Sequence, residues 1–304
     1  LERSIGFDVI HHATFATYWT RPGVAGIGKP FVWGPVGGGV GFPIKLLRTV
    51  GVRGAIEEVA RYSTRAVLGR SRSVVAAARD ASVILVQNRE AAGALPDTNA
   101  DVATVPNATS AVMDKRALME AEVRTGDVLF VGRLVAWKGA SLALRAMTRL
   151  ANQQAILRIY GDGPDRARLQ RLARSLRIEN RVEFMGRTPR DDLLLAVAEA
   201  GCVIHPALHD DSPLGVAEAL SMGAPLVCLD HGGPAELLRR WPDSPSLAVP
   251  PKSVATTSAS LATAIDAFLD DPPTIPKDLF EPNRTFREEV LKAYERATRI
   301  GFRP

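Results

Sequence analysis

The sequence predicts an α/β fold built on parallel β-sheets with helices on both faces. From residue 128 onward, short apolar stretches alternate with helical patterns of about ten residues, which is typical of parallel sheets. The polar motifs follow the predicted strands, and in a parallel sheet ligands bind beyond the carboxyl ends of the strands. A chain of 304 residues is long enough for two cores.

The first part of the chain has the weaker patterns. Strands are predicted at 7–13, 30–33, 83–87 and 101–105. Helical patterns run over 44–78 and lie between the last two strands. We expect a helical or irregular connection at 111–124 and place the domain boundary there, which gives a first domain over 1–110.

The second predicted domain covers 111–283. Its strands are predicted at 128–131, 156–160, 182–185, 202–205 and 225–229. The first three precede helices at 139–150, 164–176 and 189–198. Two more helices, at 255–269 and 284–298, close the chain.

The net charge of +5 is unevenly placed. Residues 41–80 contain eight Lys or Arg and three acidic residues, with apolar residues between them at helical spacing. This basic amphipathic pattern indicates peripheral contact with an anionic membrane surface or an anionic acceptor, and a solvated helix face is the alternative. Nothing in the sequence is typical of nucleic-acid binding.

The cysteines indicate a cytoplasmic protein. Cys202 and Cys228 fall in predicted strands without metal-type spacing, so we interpret them as reduced core residues. No apolar run approaches the length of a membrane span, and no leader pattern is present. The sequence begins with Leu1 and enters a strand almost at once, from which we expect the start of the first domain to be missing.

Two carboxylates and a helix start stand close together between 202 and 233. Asp210 and Glu218 are eight residues apart. With Pro213 in the first turn of a helix, Asp210 lies in the preceding loop and Glu218 inside the helix. The N–H groups at the start of this helix, near Leu214 and Gly215, favour a phosphate.

Cations follow the first strand of the second domain. Arg133 and Lys138 lie in one loop after Gly132, and two fixed cations favour a diphosphate, with a solvated loop as the alternative. Gly161 begins a tight turn in which Asp162 is a turn residue or a ligand contact. His209 and His231 adjoin these loops, although a lone histidine is more often structural.

The motifs in combination resemble a known family. VGRLVAWKGA, IYGDGPDRARL, VEFMGR, DDSPLGVAEALSMGAPLV and HGGPAEL, in this order, are similar to the retaining nucleotide-sugar glycosyltransferases of group 1, also called family 4. This resemblance covers 127–239. In the first domain, FDVIHH, KPFVWGPVGGG and SVILVQN are similar to a subset of these enzymes.

The resemblance implies two Rossmann-like domains facing across a cleft, with the helix at 284–304 crossing back to the first. It implies a sugar nucleotide on the second domain, an acceptor on the first, and neither a metal nor another cofactor. Arg133 and Lys138 would neutralise the diphosphate, while Asp210 would hold the sugar and Glu218 the ribose. The further donor contacts would be Gly132, Gly161, Met185, Gly186, Leu214, Gly215, Gly232 and Gly233; the acceptor-side candidates are His11, His12, Gly37 and Gly38.

The sequence departs from the family pattern in several places. Asp210 replaces the usual glutamate, and Asn107-Ala108 stands where Asn-Gly is frequent. The histidine that many relatives carry after the strand at Phe31 is absent, which leaves the acceptor-side base open.

These features predict an enzyme that transfers a hexose-type sugar, with retention, from a uridine or guanosine diphosphate sugar. The acceptor is a glycan, a lipid-linked acceptor or a small molecule. The alternatives are a sugar-nucleotide epimerase of similar architecture and a non-catalytic binding protein that keeps the fold.

Overall fold

The structure is a computed structural model that describes residues 6–13, 17–109, 124–274 and 281–301. The chain divides into two compact units. The first comprises Leu1–Gly41, Glu57–Thr109 and Pro282–Pro304, and the second comprises Phe42–Ile56 and Ser110–Glu281. The segment Phe42–Ile56 therefore groups with the second unit, although the sequence patterns place it in the first domain. The predicted connection at 111–124, except Arg124, lies outside the described residues.

The first unit contains a four-stranded parallel sheet. Its strands, in sheet order, are β1 (Ile10–His12), β2 (Phe31–Val36), β3 (Val83–Val86) and β4 (Asp101–Thr104). Strands β2 and β3 are buried along their whole length. Such continuous apolar runs are what a parallel sheet covered on both faces requires.

The predicted helical stretch at 44–78 consists of three helices. A 3₁₀ helix, Ile44–Thr49, precedes α1 (Gly51–Leu68) and α2 (Arg72–Asp80). Helix α3 (Arg89–Ala94) begins after Asn88, whose side-chain oxygen accepts a 2.9 Å hydrogen bond from the Ala91 N–H and so caps the helix. The C-terminal helix, Pro282–Gly301, packs Ala293 and Ala297 against the sheet.

The second unit is a Rossmann-like α/β structure around a six-stranded parallel sheet. Its strands are β5 (Val128–Val131), β6 (Leu157–Tyr160), β7 (Val182–Gly186), β8 (Cys202–His205), β9 (Leu226–Leu229) and β10 (Ser246–Val249). Their spatial order is β10–β9–β8–β5–β6–β7. The chain thus builds outward from β5 in one direction, then returns to the other side of β5 and continues with β8.

Helices connect these strands. They are α4 (Ala140–Met147), α5 (Arg166–Ser175), α6 (Arg190–Glu199), α7 (Leu214–Ser221), α8 (Gly232–Arg240) and α9 (Val254–Asp270); the C-terminal helix is α10. The core joins Val128 and Phe130 of β5 to Leu142 of α4 and Leu261 of α9. Burial of each such side chain contributes about 1.5–3 kcal/mol to stability.

The elements differ from the sequence patterns in two details that concern the sheet and the site. Strand β10 has no counterpart among the predicted strands. Pro213 is the residue before α7 and not a residue of its first turn. Among the described residues, no helix combines the length and the apolarity that a membrane crossing requires.

Candidate functional site

The candidate site lies at the centre of the second sheet. Strand β5 pairs with β6 on one side and β8 on the other, so the loops after β5 and β8 leave the same edge of the sheet and turn to opposite sides. Such a switch in strand order opens a crevice beyond the carboxyl ends of the strands, where ligands bind in sheets of this type. The loop after β5 carries Arg133 and Lys138, and the loop after β8 carries Asp210.

Backbone hydrogen bonds connect the loops at this edge. Leu134 N–H donates to Asp162 O at 2.9 Å, and Gly161 N–H donates to Gly186 O at 2.7 Å. Across the switch, Leu208 N–H donates to Trp137 O at 2.8 Å. These bonds hold the loops after β5, β6, β7 and β8 in a fixed arrangement.

The first turn of α8 is joined to the same set of loops. The N–H of Gly233 donates to Asp210 O at 2.7 Å. A Cβ atom on Gly233 would collide with the Asp211 carbonyl, so this close approach requires glycine. Gly232 and Gly233 therefore position the Asp210 loop through the backbone.

Lys138, Asp210 and His205 form a buried polar cluster. Lys138 Nζ donates to Asp210 Oδ2 at 2.5 Å, and His205 Nε2 lies 3.1 Å from the same oxygen. The side chains of Lys138 and Asp210 are 19% and 11% exposed, and that of His205 is 6% exposed. One carboxylate oxygen thus has two donors.

The electrostatics of this cluster favour the ionised form of Asp210. Burial acts to raise the pKa of Asp210, but the His205 hydrogen bond and the Lys138 charge outweigh it and lower the pKa to about 2. Burial lowers the pKa of His205, and the hydrogen bond to Asp210 only partly offsets this. The imidazole is therefore neutral at pH 7 and donates its Nε2 proton to Asp210.

Trp137 packs against the cation of this cluster. The ammonium of Lys138 lies 4.6 Å from the centroid of the Trp137 ring, within the range of a cation–π contact. His209 stacks on the same ring at 4.7 Å between ring centroids, with an interplanar angle of 20°. The histidine singled out beside Asp210 thus packs on Trp137.

Arg133 lines a pocket of about 430 Å³ together with Asp162, Gly163 and Arg187. The side chain of Arg133 is exposed. Asp162 Oδ1 accepts a hydrogen bond from Gly163 N–H at 2.8 Å, as expected of a turn residue. The pocket therefore presents two guanidinium groups beside one carboxylate.

Glu218 is buried in α7 and has its own cation. Arg190 Nη2 lies 2.7 Å from Glu218 Oε1, and the Glu218 side chain is 8% exposed. Burial raises the pKa of Glu218, and the charge of Arg190 partly offsets the rise. Leu214, in the first turn of α7, is 42% exposed, and Met185, at the end of β7, is 45% exposed.

The candidate residues of the first unit have structural contacts. His11 Nε2 lies 2.7 Å from Gly34 O, and its Nδ1 lies 2.8 Å from the Tyr294 hydroxyl. Burial lowers the pKa of His11 and of its neighbour His12. Gly37 and Gly38 are buried, and a Cβ atom on Gly38 would meet the ring of Trp19.

Sequence reasoning missed three side chains of this site: His205, Arg190 and Trp137. Trp137 lies between Arg133 and Lys138 in the sequence, and its position in the same loop could have identified it as a residue of the site. Within the described ranges, no group of three or more His, Cys, Asp or Glu side chains is arranged to hold a metal ion.

Comparison with solved structures identifies the fold. The chain is similar to the sucrose-phosphate synthase of Thermosynechococcus elongatus, with a TM-score of 0.56 and 16% identity over 97% of this chain and 75% of that one. It is also similar to HepE of Anabaena in complex with UDP and glucose, with a TM-score of 0.52 and 15% identity over 88% and 72% of the two chains. This fold is that of the B-type glycosyltransferases, with two Rossmann-like domains.

The sequence comparison identifies the family. The model of the family "Glycosyl transferases group 1" matches residues 119–285, more than half of the chain. The chain belongs to this family, as its motifs predicted. The 2-deoxystreptamine glucosyltransferase of Streptomyces kanamyceticus is 28% identical over 152 residues, which cover 49% of this chain and 38% of that protein. The chain spans well under half the length of the curated relatives it matches.

Proposed function

We propose that this chain transfers a sugar from a nucleoside-diphosphate sugar to an acceptor. The observation that carries the proposal is the set of cations at the switch point of the second sheet. Lys138 and Arg133 leave the same loop after β5, while Asp210 contacts Lys138 from the loop after β8. A pyrophosphate-linked sugar needs positive charge at its phosphates and hydrogen-bond acceptors at its hydroxyls, and this edge of the sheet supplies both.

The diphosphate is assigned to Arg133 and Lys138. Arg133 is exposed beside the pocket and has a planar fork of donors that matches phosphate oxygens. Lys138 forms an ion pair with Asp210 in this structure, and a phosphate oxygen can share its ammonium, which has three donors. The two side chains supply the charge that a divalent cation supplies in other phosphoryl sites, so the proposed reaction is metal-independent.

The sugar and ribose hydroxyls are assigned to the two carboxylates. Asp210 is ionised because its pKa is about 2, and an ionised carboxylate accepts hydrogen bonds from hydroxyls. Glu218 lies buried in α7 and is assigned to the ribose, with Arg190 beside it. The base is assigned to the backbone at Met185 and Gly186, where the end of β7 is exposed.

The remaining donor contacts are backbone groups. Leu214 and Gly215 stand in the first turn of α7, whose N–H groups favour phosphate or sugar oxygens. Gly232 and Gly233 are the first two residues of α8, and Gly132 and Gly161 follow β5 and β6.

The mechanism follows from the charge that develops in the reaction. As the sugar–phosphate bond breaks, the sugar gains oxocarbenium character and the diphosphate gains negative charge. Arg133 and Lys138 stabilise that charge without reorganisation because the loops holding them are already fixed. The acceptor attacks the same face that the diphosphate leaves, and a phosphate oxygen takes the acceptor proton, so the anomeric configuration is retained.

The acceptor side and the cellular location are also proposals. We assign the acceptor to the first unit, with His11, His12, Gly37 and Gly38 as its candidate residues. The acceptor is a glycan, a lipid-linked acceptor or a small molecule. We place the protein in the cytoplasm because both of its cysteines are buried free thiols.

Isothermal titration calorimetry with uridine and guanosine diphosphate sugars tests the donor assignment. We expect one of these donors to bind, and Lys138→Ala to weaken it by about 30- to 100-fold through loss of a charge-assisted contact. Lys252→Ala, which removes an exposed lysine just after β10, is the matched control. Unchanged donor affinity in Lys138→Ala would refute the role of this side chain.

The stereochemistry needs a separate measurement. NMR of the transferred sugar reports the anomeric configuration of the product, and we expect the configuration of the donor. An inverted product would refute same-face attack. Turnover of the donor to an epimer in the absence of any acceptor would refute the transferase assignment.

A further inference from the structure

Each of the two carboxylates assigned to the donor contacts a cation from another element. Asp210 contacts Lys138, and Glu218 on α7 contacts Arg190, the first residue of α6. Arg190 Nη2 lies 2.7 Å from Glu218 Oε1. Lys138 belongs to the proposed diphosphate site, and Arg190 is the corresponding cation of the second carboxylate.

Burial makes the negative charge of Glu218 dependent on this cation. The Glu218 side chain is 8% exposed, and its Oε1 atom is shielded from solvent. Burial raises the pKa of Glu218, and the charge of Arg190 lowers it. A carboxylate buried without a positive partner tends to take up a proton instead of remaining charged. Arg190 therefore favours the ionised form of Glu218.

The start of α6 directs the guanidinium of Arg190 to Glu218. Asp191 and Asp192 follow Arg190 in the first turn of α6, and both are exposed. Side chains one and two positions apart on a helix do not face each other, so these neighbours leave Arg190 able to pair with a carboxylate on another helix. The Arg190 side chain is 44% exposed. The ion pair thus joins a buried carboxylate to a guanidinium that solvent can reach.

We propose that Arg190 is a positioning residue for the ribose of the donor and acts through Glu218. This inference rests on the proposed function, in which Glu218 accepts hydrogen bonds from the ribose hydroxyls. An ionised carboxylate accepts hydrogen bonds at both oxygens. Arg190 holds the carboxylate at Oε1, so that Oε2 is presented to the hydroxyls. A protonated Glu218 would present a donor in place of an acceptor, and one hydroxyl would lose its partner.

Nucleotides that differ only in their sugar test this role. The probes are uridine diphosphate, guanosine diphosphate and their 2′,3′-dideoxy forms, which keep the base and the diphosphate but lack both ribose hydroxyls. Isothermal titration calorimetry measures the Kd of each. We expect Arg190→Gln to weaken binding of the ribonucleotide about tenfold and to leave the Kd of its dideoxy form unchanged. Equal weakening of both forms, or no weakening of either, would overturn the proposal.

A double-mutant cycle shows whether Arg190 acts through Glu218. Glu218→Gln replaces the carboxylate by a neutral amide of similar shape, and we expect it to weaken ribonucleotide binding by itself. On this background, Arg190→Gln should cause no further loss. The double variant leaves no charge buried at position 218, so it tests the proposal even where Arg190→Gln alone fails to fold. A further loss of affinity in the double variant would show that Arg190 contacts the nucleotide directly, and would overturn the proposal.

Two variants serve as controls. Arg190→Lys keeps the positive charge, and we expect it to bind the ribonucleotide more tightly than Arg190→Gln does; equal affinities would contradict a role that depends on charge. Arg174→Gln removes an exposed arginine from α5 and should leave every Kd unchanged. A loss in Arg174→Gln equal to that in Arg190→Gln would overturn the assignment to position 190.

The parent chain separates failure of this inference from failure of the proposed function. Equal binding of a ribonucleotide and its dideoxy form would overturn the role of Glu218 at the ribose, and this inference with it, but would leave the diphosphate assignment intact. No binding of uridine or guanosine diphosphate would refute the donor site itself.

Discussion

At the scale of single residues, the carboxylate at 210 is shorter by one methylene than the glutamate expected from the family pattern. Its two contacts bear on this difference, because Lys138 and His205 donate to one and the same oxygen, Oδ2. Neither of these two side chains contacts the second oxygen, Oδ1. In the proposed sugar site, this oxygen is the acceptor for a sugar hydroxyl. The short side chain is thus held rigidly by its neighbours, and its reach depends on them.

We predict that His205 positions Asp210. His205→Leu removes the hydrogen bond that helps to lower the pKa of Asp210 to about 2, so that pKa rises. Ionised Asp210 stabilises the native state above its ordinary pKa of 3.8, and this stabilisation is lost as the pH falls through about 2. In the variant, this stabilisation is smaller and its loss is complete at a higher pH.

The measurement is the pH profile of kcat, together with that of thermal stability. We expect kcat of His205→Leu to fall about tenfold, with its acid limb at higher pH, while His205→Gln retains a donor and most of the activity. A purely structural role for His205 would lower stability without moving the acid limb, and that result would contradict the prediction.

The sequence singled out Lys138 and Asp210, which the structure brings into contact, but not the side chains that accompany them. Arg133, Lys138 and Asp210 are identifiable because each follows a strand, and loops after parallel strands converge at one edge. His205 ends a strand that is buried on both faces, so alternation could not decide which way its ring points. Arg190 stands at the start of another helix, and only tertiary packing brings it to Glu218.

At the scale of the elements, the loop between β5 and α4 depends on Gly139. This residue has φ of +76°, in the left-handed region, and a Cβ atom there would collide with the Pro206 carbonyl. Glycine thus allows the Lys138 loop to lie against the loop after β8. The nearby Leu208–Trp137 backbone hydrogen bond requires the same close approach.

We predict that Gly139→Ala destabilises the protein by about 1–3 kcal/mol. An alanine there would have a strained backbone conformation, and its Cβ atom would collide with the Pro206 carbonyl. Thermal unfolding followed by circular dichroism measures the loss. Gly126→Ala is the control, since nothing lies within 4 Å of a Cβ atom at that position. Equal melting temperatures in the two variants would show that the loop can rearrange.

Strands and helices with strong periodicity were predicted closely, and the exception has a physical cause. Strand β10 is an edge strand of the second sheet, and Leu247 and Ala248 within it are exposed. Its hydrogen bonds to β9 define it, whereas its sequence shows neither a continuous apolar run nor a clean alternation. A periodic sequence pattern reflects which residues are buried. An edge strand with exposed residues has few buried positions and therefore shows no clear pattern.

At the scale of the whole molecule, the family match and the proposed donor site fall on the same unit. The matched residues, 119–285, contain every residue that we assign to the donor. The first unit carries the acceptor candidates and weaker sequence patterns. Because the residues assigned to the sugar-nucleotide donor lie within one folded unit, we expect the chain to bind the donor without an acceptor. Binding of a ligand to the native state stabilises it, so this expectation can be tested by thermal unfolding.

We predict that the correct sugar nucleotide raises the melting temperature of the chain. A donor that binds only the native state at a hundred times its Kd contributes about 2.7 kcal/mol. In Arg133→Ala this stabilisation should shrink, because the guanidinium that lines the pocket is lost while the fold does not depend on it. Arg171→Ala on α5, also exposed, is the matched control. An equal donor-induced shift in Arg133→Ala and Arg171→Ala would remove Arg133 from the diphosphate site, whereas no shift in any variant or in the parent chain would refute donor binding by the second unit.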